Sequence, residues 1–281
     1  MLVTLNDVLI DAQKNKYAVG LFNTVNLEMA KGVLAAAEET RSPVIIGTAE
    51  VLLPYAGLED LSYFLVPMAK KAKVPVVLHF DHGLTPELII KSMSLGFRSI
   101  MYDCSVNTLE ENITKCREMA KIAKIFGASI EAELGHVGAA GSDAAEADGH
   151  DSIYTDPLQA KEFVESTNVD ALAVAIGTAH GAYKSKPQLD LKRLKEIAST
   201  INTPLVLHGG SGLSDEDFKN CINNGIAKVN IFTDINCAAA KAAADGYKKG
   251  CGMTDLMGNI IDEIKEATMK KMNIFGCVRK A

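Results

Sequence analysis

Eight short, mostly β-branched apolar segments, each followed by a longer stretch of helical spacing, constrain this chain more than any other feature. They run Tyr17–Phe22, Pro43–Gly47, Pro75–Phe80, Ser99–Asp103, Ser129–Leu134, Ala171–Gly177, Pro204–Gly209 and Lys228–Thr233, and we read each as a strand. Most are continuously apolar, as strands covered on both faces must be. Between them, apolar residues recur every three or four positions, as in Leu189, Leu191, Leu194 and Ile197. That is the pattern of a helix with one buried stripe. Asn26, Thr85 and Ser214 stand where helix N-caps are expected.

Eight βα units are the number that closes a parallel barrel, so the expected fold is an α/β TIM barrel, a single domain over residues 1–281. A doubly wound open sheet is the competing arrangement. It would more often carry a glycine-rich dinucleotide turn after its first strand, and Y-A-V-G-L-F-N-T-V-N has none. At 281 residues and 48% hydrophobic content, the chain can fill such a core. Two stretches exceed the bare barrel. Residues 135–157 are too long for an ordinary βα loop and read as a functional lid or as a segment disordered when empty. Met257, Ile260, Ile261, Ile264 and Met272 build an amphipathic C-terminal helix.

Composition removes several classes of partner. The formal net charge is -6 and both signs are spread along the chain, with no basic block to suggest nucleic acid. No stretch approaches the length of a membrane span, and the N-terminus lacks a signal peptide's apolar run. The 6 cysteines are scattered without a C-x-x-C pair, which fits a reduced, cytoplasmic location. Cys104, near a strand end, reads as a small buried hydrophobe.

Barrel enzymes place their chemistry at the C-terminal ends of strands. Of the 6 histidines, His82, His180 and His208 sit at or just past the ends of the third, sixth and seventh expected strands. The sixth and seventh strands are neighbours and the third lies across the barrel mouth, so three imidazoles can converge above the axis. Three such ligands leave a catalytic zinc one open position. Asp81, beside His82, is placed either to move a proton on a bound hydroxyl or to orient an imidazole. His79 suits a supporting role. Asp103, Glu131 and Glu133 end the fourth and fifth strands, where they are candidates to line the mouth or hold a second cation. The turn Gly209–Gly212 and the stretch Asn230–Thr233 follow the seventh strand and end the eighth, the usual phosphate site of this fold.

These motifs together resemble a known family. H-F-D-H-G at 79–83, E-A-E-L-G at 131–135, I-G-T-A-H-G at 176–181, L-H-G-G-S-G at 207–212 and N-I-F-T-D at 230–234 are similar to those of the zinc-dependent class II ketose-bisphosphate aldolases. The tagatose- and fructose-bisphosphate branch is nearest in look. The resemblance implies reversible cleavage of a phosphorylated ketose to dihydroxyacetone phosphate and an aldehyde. It implies one Zn2+ per subunit on His82, His180 and His208, with Asp81 as acid/base at the C4 hydroxyl. Gly181, Gly209, Gly210, Ser211, Asn230, Ile231, Phe232 and Thr233 match positions that hold the substrate. A monovalent cation and a homodimer or homotetramer are further family properties. A Schiff-base lysine is not expected, since Lys228 reads as lying at the start of the eighth strand and Lys184 in a loop.

Two departures stand out. The family's lid glutamate is missing at its usual spacing, which leaves Asp143 and Glu146 as candidates to replace it. Phe232 stands where relatives often carry a small or polar residue near the aldehyde half, and an apolar ring cannot hydrogen-bond a sugar hydroxyl. A different ketose 1-phosphate, a metal-dependent sugar-phosphate epimerase or isomerase, and a non-catalytic sugar-phosphate binder are therefore the competing readings.

Overall fold

The structure, a computed structural model, describes residues 1–138, 154–179 and 187–281. The first half runs β1 (Leu2–Val3), α1 (Asn6–Asn15), β2 (Val19–Asn23), α2 (Leu27–Thr40), β3 (Val44–Ala49), α3 (Leu58–Lys71), β4 (Val76–Gly83) and α4 (Pro86–Ser94). Then come β5 (Ser99–Tyr102), α5 (Leu109–Phe126), β6 (Ser129–Leu134), α6 (Pro157–Thr167), β7 (Ala171–Val174) and α7 (Leu191–Thr200). The chain ends with β8 (Leu205–Leu207), α8 (Asp215–Asn223), β9 (Ile226–Ile231), α9 (Thr233–Gly246) and α10 (Met253–Phe275).

Strands β2 to β9 form a closed parallel barrel. All their pairings are parallel, and the β4–β5 pairing completes the ring. Each expected strand corresponds to one of these, with ends shifted by a few residues. β1 was not expected: it is only two residues long and adds to the ring as a partner of β4 (Leu2↔Val76, Val3↔Val77).

Local signals explain several helix ends. The Asn26 side chain accepts from the Met29 N–H at the start of α2, and Ser214 forms a capping box with Asp217 at the start of α8. Thr85 occupies the N-cap position of α4 but makes no capping bond; its hydroxyl donates to Glu50 Oε1 instead, at 2.6 Å. The expected C-terminal helix is α10. It buries Ile260, Ile264 and Met272 and lies tightly on α2, where a Cβ on Gly32 would fall 2.7 Å from Ile264 Cγ2. Its last residue, Phe275, reaches the core and stacks edge-on against Phe218.

The barrel's inner face is apolar in part and strongly polar toward the C-terminal ends of the strands. His79, Asp81, Glu131, Glu133, Lys228 and His208 are all buried there. Buried charge is costly unless paired, so this layer holds together only as a network.

Candidate active site

The network begins on β4. The ladder to β5 shifts register between Phe80 and Gly83, and His82 takes a positive φ of 42°. The sequence reading ended this strand at Phe80 with His82 beyond it. The strand instead continues through the irregularity to Gly83, which swings the imidazole over the barrel mouth. β4 and β8 lie on opposite sides of the barrel, yet the rings of His82 and His208 meet near its axis, with centroids 4.6 Å apart and planes at 62°.

Carboxylates orient both rings. His82 Nδ1 lies 2.8 Å from Asp103 Oδ2, a contact in which the ring donates and which fixes its orientation. His208 Nε2 lies 2.9 Å from Glu131 Oε1, and its Nδ1 lies 2.9 Å from Glu133 Oε2. Burial would lower the His208 pKa, but the hydrogen bonds and charges of Glu131 and Glu133 push it up to about 10. Burial raises the Glu131 carboxyl, and the charge of Lys228, the His208 hydrogen bond and the charges of His79 and His208 together bring it down to about 2.

Lys228 corrects the sequence reading. It does not lie at the start of its strand, because β9 begins at Ile226, and its side chain is fully buried inside the barrel. Its Nζ lies 2.9 Å from Glu131 Oε2 and donates to Asn230 Oδ1 at 2.7 Å. With its ammonium bound on both sides, it is not placed as a free amine nucleophile.

Asp81 receives the other end of this chain. Asn230 Nδ2 donates to its Oδ1 at 3.1 Å, and Asn23 Nδ2 donates to its Oδ2 at 2.8 Å. His79 Nε2 lies 3.6 Å from Oδ1, while its Nδ1 is 2.6 Å from Ser99 Oγ, the supporting role expected of it. Burial alone would raise the Asp81 carboxyl. The charges of His82, Lys228 and His79 offset this and hold it well below the usual carboxylate range. Asp81 is therefore an oriented carboxylate, able to accept a proton. Sequence reasoning missed Asn23 and the role of Lys228; the available signal was a polar residue inside or ending an otherwise apolar strand.

A cavity of about 410 Å³ opens above this network. Asp81, His82 and Asp103 line it with Gly209, Gly210 and Ser211 and with Asn230, Ile231, Phe232 and Thr233. The structure thus gathers most of the expected site residues around one opening. Gly209 has a φ of +64°, and a Cβ there would meet the Ala179 carbonyl oxygen at 2.4 Å, so this turn requires glycine. His180, Gly181, Asp143, Glu146 and Lys184 lie outside the described residues.

A family-wide sequence profile, fructose-bisphosphate aldolase class-II, matches residues 3–280. The chain belongs to this family. Class II aldolases are zinc-dependent lyases that act on sugar phosphates. The Escherichia coli (strain K12) protein YdjI is 43% identical over 272 residues, covering 96% of each chain. A fructose-bisphosphate aldolase of Staphylococcus aureus is 38% identical and covers 100% of this chain and 99% of its own. Among solved structures, the YdjI aldolase superimposes with a TM-score of 0.88 at 38% identity over the whole of both chains. A putative fructose-1,6-bisphosphate aldolase from Coccidioides immitis gives 0.90 at 30% identity, covering 98% of this chain and 97% of its own.

The donor set fits the family's metal. Ligand atoms of Asp81, His82 and His208 all lie within 4.8 Å of one another, and two further groups, His79–Asp81–Glu131 and His82–Asp103–Glu133, meet the same limit. Neutral imidazole nitrogen suits zinc, so a bound ion would take the place of a proton that Glu131 and Glu133 hold on His208, and the surrounding carboxylates supply the negative charge it would neutralise. Among the described residues, no helix is long and apolar enough to cross a membrane.

Proposed function

We propose that the chain cleaves a ketose 1-phosphate reversibly between C3 and C4, giving dihydroxyacetone phosphate and an aldehyde. The observation that carries this is Asp81. It is a buried carboxylate kept ionised and aimed by two amide donors, and it lies beside a pair of imidazoles that converge across the barrel. The turn Gly209–Ser211 with Asn230, Ile231 and Thr233, and with Gly181, takes the phosphate and the dihydroxyacetone half, and the Phe232 ring is left to the aldehyde half. Asp81 accepts the C4 hydroxyl proton; the C4–O bond becomes a carbonyl, C3–C4 breaks, its electron pair passes to C3, and C3 then takes up a proton, for which Asp143 and Glu146 are the candidate donors, to give dihydroxyacetone phosphate. Condensation reverses each transfer, with Asp81 returning the proton.

His82, His180 and His208 would hold one Zn2+ per subunit, and when bound it supplies the Lewis acid that polarises the ketose C2 carbonyl. A monovalent cation and a homodimeric or homotetrameric assembly, resting on family membership, complete the reading, with a cytoplasmic location resting on the scattered cysteines and one barrel domain over residues 1–281 on the eight βα units. The competing epimerase or isomerase would rearrange the sugar without breaking its chain. Incubation with a panel of ketose 1-phosphates and bisphosphates, with products identified by mass, separates the two. Release of dihydroxyacetone phosphate is the expected result. Recovery of an isomer with no three-carbon product would refute the aldolase reading.

A further inference from the structure

The two ends of the cavity differ in chemistry. Toward β8 and β9 it offers the turn Gly209–Ser211 with Asn230 and Thr233, backbone amides and polar side chains suited to an anion. Toward β3 it is lined by Ala49, Val51 and Leu52, with Phe232 and Val137 also on its wall.

Register shows which part of a substrate meets the second end. Ala49 is the partner of Asp81 across the β3–β4 ladder. A ketose with its phosphate in the turns after β8 and β9, and its C4 hydroxyl at Asp81, can run its remaining carbons on past Asp81 on the β3 side of β4, along Ala49, Val51 and Leu52. The segment that carries these residues is tied down. Glu50 accepts through Oε2 from the Leu84 and Thr85 N–H groups at 2.8 and 3.0 Å, and through Oε1 from the Thr85 hydroxyl at 2.6 Å. Its carboxylate is committed to the end of β4. Ala49 and Leu52 are buried, so the wall is a packed surface.

Charge points the same way. Among the described residues that line the cavity, only His82 and His136 can carry positive charge, and Asp81 and Asp103 carry negative charge. A phosphate at the β3 end would exchange part of its water for hydrocarbon and, among the described residues Ala49, Val51 and Leu52 that line that end, find no cation to repay the loss.

We propose that Ala49, Val51, Leu52 and Phe232 form a subsite for an unphosphorylated tail, so the aldehyde released carries no phosphate. This rests on the aldolase reading above and specifies its aldehyde half. Phe232 and Leu52 are then specificity-determining residues that favour aldehydes with an apolar face.

The test condenses dihydroxyacetone phosphate with glyceraldehyde 3-phosphate, glyceraldehyde and lactaldehyde on the zinc-loaded full chain, and reads kcat/KM for each aldehyde. The unphosphorylated aldehydes should exceed glyceraldehyde 3-phosphate by at least about tenfold. Val51 is 75% exposed, so Val51→Arg is compatible with the fold and places a cation at the rim. That variant should narrow the ratio by raising turnover of glyceraldehyde 3-phosphate. If wild-type enzyme uses glyceraldehyde 3-phosphate as well as or better than the unphosphorylated aldehydes, the subsite is wrong and the aldolase reading stands. If no aldehyde consumes dihydroxyacetone phosphate, the aldolase reading falls and the subsite falls with it.

Discussion

At the scale of single residues, Asp81 gathers what the chain holds apart. Asn23 lies 58 positions from it and Asn230 lies 149, yet both donate to its carboxylate. Replacing Asp81 with Asn keeps the shape and removes the proton acceptor. Asp81→Asn should lower kcat for ketose cleavage by about 10²- to 10⁴-fold with an unchanged circular dichroism spectrum, and a variant of near wild-type rate would remove Asp81 from the chemistry. Lys228 belongs to the same network through structure. Lys228→Met would leave Glu131 buried without its cation, a loss of about 3–5 kcal/mol expected in urea denaturation. Adding Glu131→Gln should recover part of that loss, since the unpaired charge is then gone. Asp81, His82 and His208 were legible in the sequence because each stands in or beside a strand-end motif. Asn23 and Lys228 were not, because their meaning depends on partners across the barrel; Glu131 is 97 positions from Lys228.

At the scale of elements, apolar patterning located every barrel strand because closing the ring demands burial on both faces. It missed β1, whose two residues are too short for any period to show. It also placed the end of β4 early, because a strand that continues through a register shift and a positive φ at His82 has no pattern of its own. Thr85 has the right residue type at the right place, yet its hydroxyl donates to Glu50 and accepts from no N–H of the helix. The contact of α10 with α2 depends on the missing side chain of Gly32, since Ile264 and the Ile261 carbonyl oxygen fill its place. Gly32→Val should therefore cost about 1–3 kcal/mol in thermal or urea unfolding by overpacking. Zinc content should stay at the wild-type level in that variant, because the contact lies on the outer helical layer. Loss of metal with stability unchanged would contradict that separation.

At the scale of the whole molecule, barrel closure turns scattered motifs into one site. His82 and His208 come from opposite strands and meet only because the ring brings them to a common axis. The family match over residues 3–280 and the superposition on the YdjI aldolase accord with that architecture. The central claim is that carbon–carbon cleavage depends on a divalent ion at these histidines. The measurement that tests it most directly is the rate of dihydroxyacetone phosphate release before chelation, after it, and after zinc is restored, with bound metal counted by elemental analysis at each stage. The account predicts that the rate falls to background as the metal leaves and returns with about one zinc per subunit. A full rate in protein shown to hold no metal would contradict it.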